Sequence, residues 1–167
     1  MDSNAADAKR VDRPILLGII GDSAAGKTTL AEGIARTLGE GQVLTICSDD
    51  YHLNSRAERA IKRVTALNPE CNHIDIFEQH LQLLRSNQPI LKPTYNHELG
   101  TLGAPRYLSP RPYVIVEGLL GYHTRAMRDC YDVKVFMEPE EELRIKWKIH
   151  RDCTTRGYTS EEVKDEL

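Results

Sequence analysis

The chain has 167 residues, 40% hydrophobic and 28% charged, which is enough apolar side chain for one buried core and the balance of an ordinary globular domain. Its 22 Lys and Arg against 25 Asp and Glu give a formal net charge of −3, which argues against non-specific nucleic-acid binding. No apolar run approaches the roughly 20 residues that span a bilayer, and the polar first ten residues lack the apolar centre of a secretory signal. The expectation is a cytoplasmic protein with no membrane and no nucleic acid among its partners.

Residues 1–13 read as a flexible tail and residues 14–167 as one domain without an internal boundary. Pro14-Ile15-Leu16-Leu17-Gly18-Ile19-Ile20 is a continuous apolar run, the pattern of a strand buried on both faces. It runs into Gly21-Asp22-Ser23-Ala24-Ala25-Gly26-Lys27-Thr28, which fits G-x-x-x-x-G-K-[ST] at every fixed position. The two glycines let the backbone curl until successive N–H groups point at a phosphate. Lys27 can reach the β- and γ-phosphates, and the Thr28 hydroxyl can hold Mg²⁺. Leu30, Ala31, Ile34, Ala35 and Leu38 then recur at helical spacing, with Gly39 as a stop signal. Strand, loop and helix in this order aim a helix N-terminus at an anion. The candidate nucleotide contacts are therefore Gly21, Asp22, Ser23, Ala24, Ala25, Gly26, Lys27, Thr28 and Thr29. A plain glycine turn is the alternative, and eight matching positions weigh against it.

Residues 42–47 predict a second parallel strand, which delivers Ser48-Asp49-Asp50-Tyr51-His52 at its C-terminal end. That edge of an open α/β sheet is where ligands bind. One of Asp49 and Asp50 is expected to orient a hydroxyl, accept its proton or approach Mg²⁺; the plainer role is a helix cap. Arg56, Arg59, Lys62 and Arg63 follow, either as a solvated face or as a grip on an anionic second substrate. Residues 75–86 predict a helix with Phe77, Leu81 and Leu84 on one face, and His73 and His80 in structural or exposed positions.

Five prolines between residues 89 and 112 predict an irregular, loop-rich stretch, within which Lys92-Pro93-Thr94-Tyr95-Asn96-His97 offers a dense set of polar groups. Residues 113–116 predict the third strand, closing on Glu117-Gly118 as an acidic Mg²⁺ partner for the loop, and residues 133–137 the fourth. Pro139 is placed to open a helix in which Leu143, Trp147 and His150 share a face, so Trp147 is expected in the core. Lys148, Arg151, Asp152 and Arg156-Gly157 could close over phosphates as a lid; the plainer reading is a surface helix end. Cys47, Cys71, Cys130 and Cys153 show no paired short spacing and are expected as reduced thiols. The closing Lys164-Asp165-Glu166-Leu167 spells a retention address, read here as coincidence. The fold class is α/β: a P-loop NTPase-type parallel sheet flanked by helices, with the glycine loop after the first strand.

These clusters, in this order, resemble the phosphoribulokinases of the wider phosphoribulokinase/uridine kinase family of P-loop kinases. The resemblance rests on Gly-Asp-Ser opening the loop, Asp49-Asp50-Tyr51-His52 with Arg56 and Arg59, and Thr65-Ala66-Leu67. It rests equally on Lys92 to His97, Glu117-Gly118-Leu119, Trp147-Lys148-Ile149-His150-Arg151-Asp152 and Arg156-Gly157-Tyr158. It implies transfer of a phosphoryl group from ATP, with Mg²⁺, to D-ribulose 5-phosphate. Carried over, Asp49 is the general base and a metal partner, Lys27 and Thr28 hold ATP and Mg²⁺, and Glu117 is the second acidic metal partner. His52, Arg56, Arg59, Tyr95, His97 and Lys148 would contact the sugar phosphate, and Lys148, Arg151, Asp152 and Arg156 would belong to the lid. The alternatives are a uridine or nucleoside kinase and a catalytically incomplete nucleotide-binding module; a homo-oligomer is left open.

Three features depart from the pattern. Ala25 stands where the photosynthetic enzymes carry a regulatory cysteine, so a thiol switch with Cys47 is not expected. Ala60 stands where a lysine is expected in the sugar-phosphate grip. Family members also continue past the lid, so the kinase domain is expected to be truncated, with a further strand and part of the base pocket in the remainder.

Overall fold

The computed structural model describes residues 13–155 together with Thr159, Glu161 and Val163. The predicted tail up to residue 12, Arg156 and the closing four residues lie outside the described residues. In chain order the elements are β1 (Ile15–Gly21), α1 (Lys27–Leu38), β2 (Val43–Cys47), α2 (Arg56–Lys62), α3 (Ile74–Arg85), β3 (Ile90–Asn96) and β4 (Thr101–Leu108). They continue with β5 (Tyr113–Gly118), α4 (Arg125–Cys130), β6 (Val133–Met137) and α5 (Glu141–Thr155).

Four strands form one parallel sheet in the order β2-β5-β1-β6. Alternate residues of the apolar runs face opposite layers, as the period of two requires. Ile19, Val43 and Ile115 pack on Ala31 of α1, with Leu30, Ile34 and Ala35 around them. On the other face Leu16, Ile46, Val114 and Val116 meet Phe77, Leu81 and Leu84 of α3 and Met127 of α4. Each such side chain, fully buried, stabilises the fold by about 1.5–3 kcal/mol relative to exposure. The register sets Cys47 opposite Glu117, Ile20 opposite Gly118 and Gly21 opposite Met137. The second strand, the acidic strand end and the glycine loop thus finish at one edge.

Three expectations are corrected. The stretch 89–112 is not irregular: β3 and β4 pair antiparallel from Ile90–Leu108 to Asn96–Thr101. The register shifts between Lys92 and Thr94, so Pro93, and Pro105 across from it, fall in the irregularity, where the missing N–H breaks no ladder bond. Nor is Trp147 in the core: it is 44% exposed and Leu143 is 40% exposed. The buried positions of α5 are instead Lys148 and Asp152. That helix also begins at Glu141, with Arg144 N donating to Glu140 O at 3.0 Å, which leaves Pro139 just outside it.

Asp132, at the entrance to β6, ties four segments together. It accepts from Arg13 Nη1 and Nη2 at 2.9 and 2.7 Å, from Arg85 Nη1 at 3.3 Å and from Leu16 N at 3.0 Å. The hydrogen bonds from Arg13, then that from Leu16 N, hold its carboxyl well below the usual carboxylate range. Asp132→Ala should lower unfolding free energy by about 1–2 kcal/mol at neutral pH, the pair being partly screened by solvent. The folded carboxyl titrates below its unfolded value of about 3.9. The contribution is therefore complete above that value and lost as pH falls towards the folded-state value. Urea unfolding at a series of pH values should show wild type and variant diverging at pH 7 and converging in strong acid.

Candidate active site

The glycine loop takes its shape from two left-handed residues, Ala24 at φ 64° and Gly26 at φ 87°. Gly26 adopts this freely, whereas an alanine there costs about 1 kcal/mol, so Ala24 is held by its surroundings. Ala25 N donates to Asp22 O at 3.2 Å, and Leu30 N to Gly26 O at 3.0 Å opens α1. Gly26 has no side chain to cap that helix, so the first-turn N–H groups and the positive end of the dipole face the cleft. Lys27 is 8% exposed, with Nζ donating to Asp22 O at 2.7 Å. Burial lowers its pKa, and the Asp49 and Glu117 carboxylates work against that shift.

Glu117 is buried beside Lys27. Burial raises its pKa, and the Asp49 charge adds to that, while hydrogen bonds from the Cys47 thiol and the Thr28 hydroxyl pull it down. The Cys47 thiol is itself pushed up by burial and by Asp49 and Glu117, so it stays protonated and donates. The strand ends pack closely because residue 118 is glycine at φ 146°: a Cβ there would stand 1.8 Å from Ser48 Oγ. Ser48 Oγ accepts from Leu119 N at 3.1 Å and pins the turn that carries Asp49 and Asp50.

The two adjacent carboxylates have separate tasks. Asp50 accepts from Lys92 Nζ and, at 2.8 Å, from Tyr95 N, so it fastens the β3–β4 hairpin to the edge of the parallel sheet. Asp49 lines the cleft beside Lys27 and Glu117.

The helix α2 begins with a capping box in which Ser55 Oγ accepts from Glu58 N and Glu58 Oε2 accepts from Ser55 N. This sets Arg56 and Arg59 one turn apart on one face. Arg59 donates to Asn54 O at 2.6 Å and Tyr95 Oη at 2.9 Å and lies 5.3 Å over the Tyr95 ring. Arg56 donates to His97 O in the hairpin turn. His52 Nδ1 is 2.7 Å from Asn72 Oδ1 and its ring stands edge-on to Tyr95, which stands edge-on to His97. Burial lowers the His52 pKa, so the ring is neutral near pH 7. From α5, Arg151 Nη2 donates to Ser23 Oγ at 3.2 Å and Nε to Asp152 Oδ1 at 2.8 Å, while Lys148 Nζ lies 3.8 Å from the other oxygen of Asp152.

The cleft has a volume of about 1330 Å³. It brings together the loop from Ser23 to Thr29, Asp49, Glu117, His97 and Arg151. His52, Arg56, Arg59, Tyr95 and Lys148 do not line it; Arg56, which donates to His97 O, and Tyr95, edge-on to the His97 ring, touch a residue that does. Asn72 was missed as a site-forming residue, and Lys92, singled out only as part of a polar run, gave no sign of its partner Asp50, because the two contacts join residues 20 and 42 positions apart. Among the described residues no group of three or more His, Cys, Asp or Glu is placed to hold a metal ion. Thr28 with Glu117 and neighbouring Asp49 instead offers the few oxygens that suit Mg²⁺, which keeps waters and takes phosphate oxygens for the rest. Among the described residues no helix is long and apolar enough to cross a membrane.

The model of the phosphoribulokinase/uridine kinase family matches residues 16–167. The chain belongs to that family. It is 39% identical to the phosphoribulokinase of Synechocystis over 92% of its own length and 46% of that protein. It is 34% identical to the uridine kinase of Lactiplantibacillus plantarum over 90% of its length and 74% of that protein. The chain thus spans about half the length of the phosphoribulokinases it matches. The solved phosphoribulokinase of Rhodobacter spheroides shares its fold, with a TM-score of 0.68 at 24% identity over 92% of this chain and 61% of that one.

The Asp50–Lys92 pair has its own test. The two side chains are 17% and 7% exposed, so Lys92→Met leaves a mostly buried carboxylate without its counter-charge and should cost about 3 kcal/mol. Adding Asp50→Asn should recover part of that loss, since the amide oxygen still accepts from Tyr95 N. Urea midpoints of the three proteins check this; an unchanged midpoint for Lys92→Met would refute the clamp.

Proposed function

We propose that this chain carries the catalytic site of an ATP-dependent kinase acting on D-ribulose 5-phosphate. The observation that supports it best is the position of Asp49, beside the loop lysine and in the same cleft as His97 of the hairpin. Asp49 accepts the proton of the hydroxyl at C1 as its oxygen bonds to the γ-phosphorus of ATP; the bond to the β-phosphate oxygen breaks, and ribulose 1,5-bisphosphate and ADP leave. Lys27 places one positive charge against the β- and γ-phosphates, and the first-turn N–H groups of α1 add to it. Thr28, Glu117 and Asp49 would hold Mg²⁺, which would supply positive charge against the phosphates. Arg151, steered by Asp152 and Ser23, brings a second cation to the transferred group. Arg156 is assigned to the same lid.

The second substrate is a dianion at its phosphate, and Arg56 and Arg59 would supply the positive charge for it, with the neutral His52 ring packed edge-on to Tyr95 as a hydrogen-bonding neighbour. Each guanidinium has five donors, so the contacts that orient it leave others for phosphate oxygens. Ala60 contributes no charge there, and Lys62, two residues on, donates to Asn54 Oδ1. The greater share of the uridine kinase that the chain covers favours a second reading, a nucleoside kinase. A neutral nucleoside gives Arg56 and Arg59 no charge to meet.

The experiment is ADP release from Mg-ATP with ribulose 5-phosphate, with uridine and with neither. Release with ribulose 5-phosphate alone is expected; release with uridine alone moves the chain to the second reading. Silence in all three, with ATP bound, would mark a nucleotide-binding module. Asp49→Asn should cut turnover by about 10²-fold or more with ATP affinity retained, as for loss of a general base. Asp50→Asn should act on stability first. Lys27→Met should weaken triphosphate binding itself, and unchanged affinity would sink the loop assignment.

A further inference from the structure

Trp147 is the chain's only tryptophan. A large indole left 44% exposed forfeits burial that a core position would provide, so its place needs a reason. Its Cζ3 lies 4.0 Å from the point where a Cβ on Gly26 would stand, and the Met137 methyl carbon lies 3.7 Å from it. Any side chain at residue 26 would project into the gap between the loop and these two groups. Trp147 and Met137 line the same cleft as Lys27 and Thr28, and Leu30 and Ile34 of α1 line it too. The cleft is therefore cationic and N–H-rich at the loop and apolar beside it.

Position along α5 adds a second constraint. Arg151, which reaches Ser23 of the loop, is four residues after Trp147. That spacing sets the two side chains on one face, about 6 Å apart along the axis. One helical face thus presents a flat aromatic surface and then a cation. A nucleotide has the same sequence of properties, a flat base followed by phosphates. We propose that Trp147, seated with Met137, is the stacking platform for the base of the nucleotide whose phosphates occupy the glycine loop. This rests on the reading of the loop as a triphosphate site. The platform explains why α5 buries Lys148 and Asp152 yet leaves its tryptophan open to the cleft: stacking needs only a π-face.

A single tryptophan makes the test direct. Intrinsic fluorescence of the 167-residue chain is followed during titration with Mg-ATP and, separately, with inorganic tripolyphosphate and Mg²⁺, with affinities measured by calorimetry. ATP should change the indole emission, whereas tripolyphosphate should bind without doing so. Trp147→Leu should weaken ATP binding about tenfold and leave tripolyphosphate affinity within about twofold, and Trp147→Phe should retain most of the ATP affinity. ATP that binds without altering the emission overturns the platform. So does a Trp147→Leu variant that keeps its ATP affinity or loses the same factor for both ligands. If neither ligand binds the wild-type chain, the loop reading fails and the platform falls with it.

Discussion

Asp50 holds two separate sheets in one site. Its carboxylate takes the Lys92 ammonium and the Tyr95 N–H from the hairpin, while Ser48, two residues earlier, is pinned to Leu119 at the end of β5. Without that connection the parallel sheet would present a phosphate loop and two acids, and the hairpin would carry Tyr95 and His97 independently of them. The bond is mostly buried, where a charged acceptor without partners is costly, so the hairpin has one docked position. The same bond removes Asp50 from the cleft and leaves Asp49 to face it. Two neighbouring carboxylates of identical chemistry thereby acquire different tasks.

The cleft side of this arrangement concentrates charge under partial burial. Lys27 loses some of its tendency to hold a proton and Glu117 some of its tendency to release one, each mainly through burial. Both shifts are opposed from within the group: carboxylates oppose that of the lysine, and the Cys47 thiol, the lysine and the Thr28 hydroxyl oppose that of Glu117. A group of this kind is preorganised for a ligand rich in negative charge and for a hard cation bridging it. Cys47 participates as a neutral donor. With alanine, not cysteine, at residue 25 of the loop, that role involves no partner thiol there.

Signals written within a few residues were readable. The apolar run before Gly21, the eight positions of the loop, and the 3.6-residue spacing of Leu30, Ile34 and Leu38 or of Phe77, Leu81 and Leu84 each follow from local periodicity. They placed β1, α1, β2, α3, β5 and β6 and the edge where Lys27, Asp49 and Glu117 meet. The hairpin was missed because proline is a strong local stop signal, and its placement in a bulge depends on the partner strand. Trp147 was misplaced because helical spacing tells which residues share a face and says nothing about what that face meets.

By itself, the sequence determined the fold class, the phosphate loop and the order of acidic and basic clusters along the chain, since each is encoded by residue type at short spacing. Tertiary structure decided which carboxylate faces the cleft, that residues 90–108 form a hairpin, and that α5 turns Lys148 and Asp152 inward and Trp147 to the cleft. These outcomes depend on burial and on partners 20 to 42 residues distant, as for His52 with Asn72 and Asp50 with Lys92. Contacts at such separations are selected by the packing of whole elements, and no local pattern of residues records them.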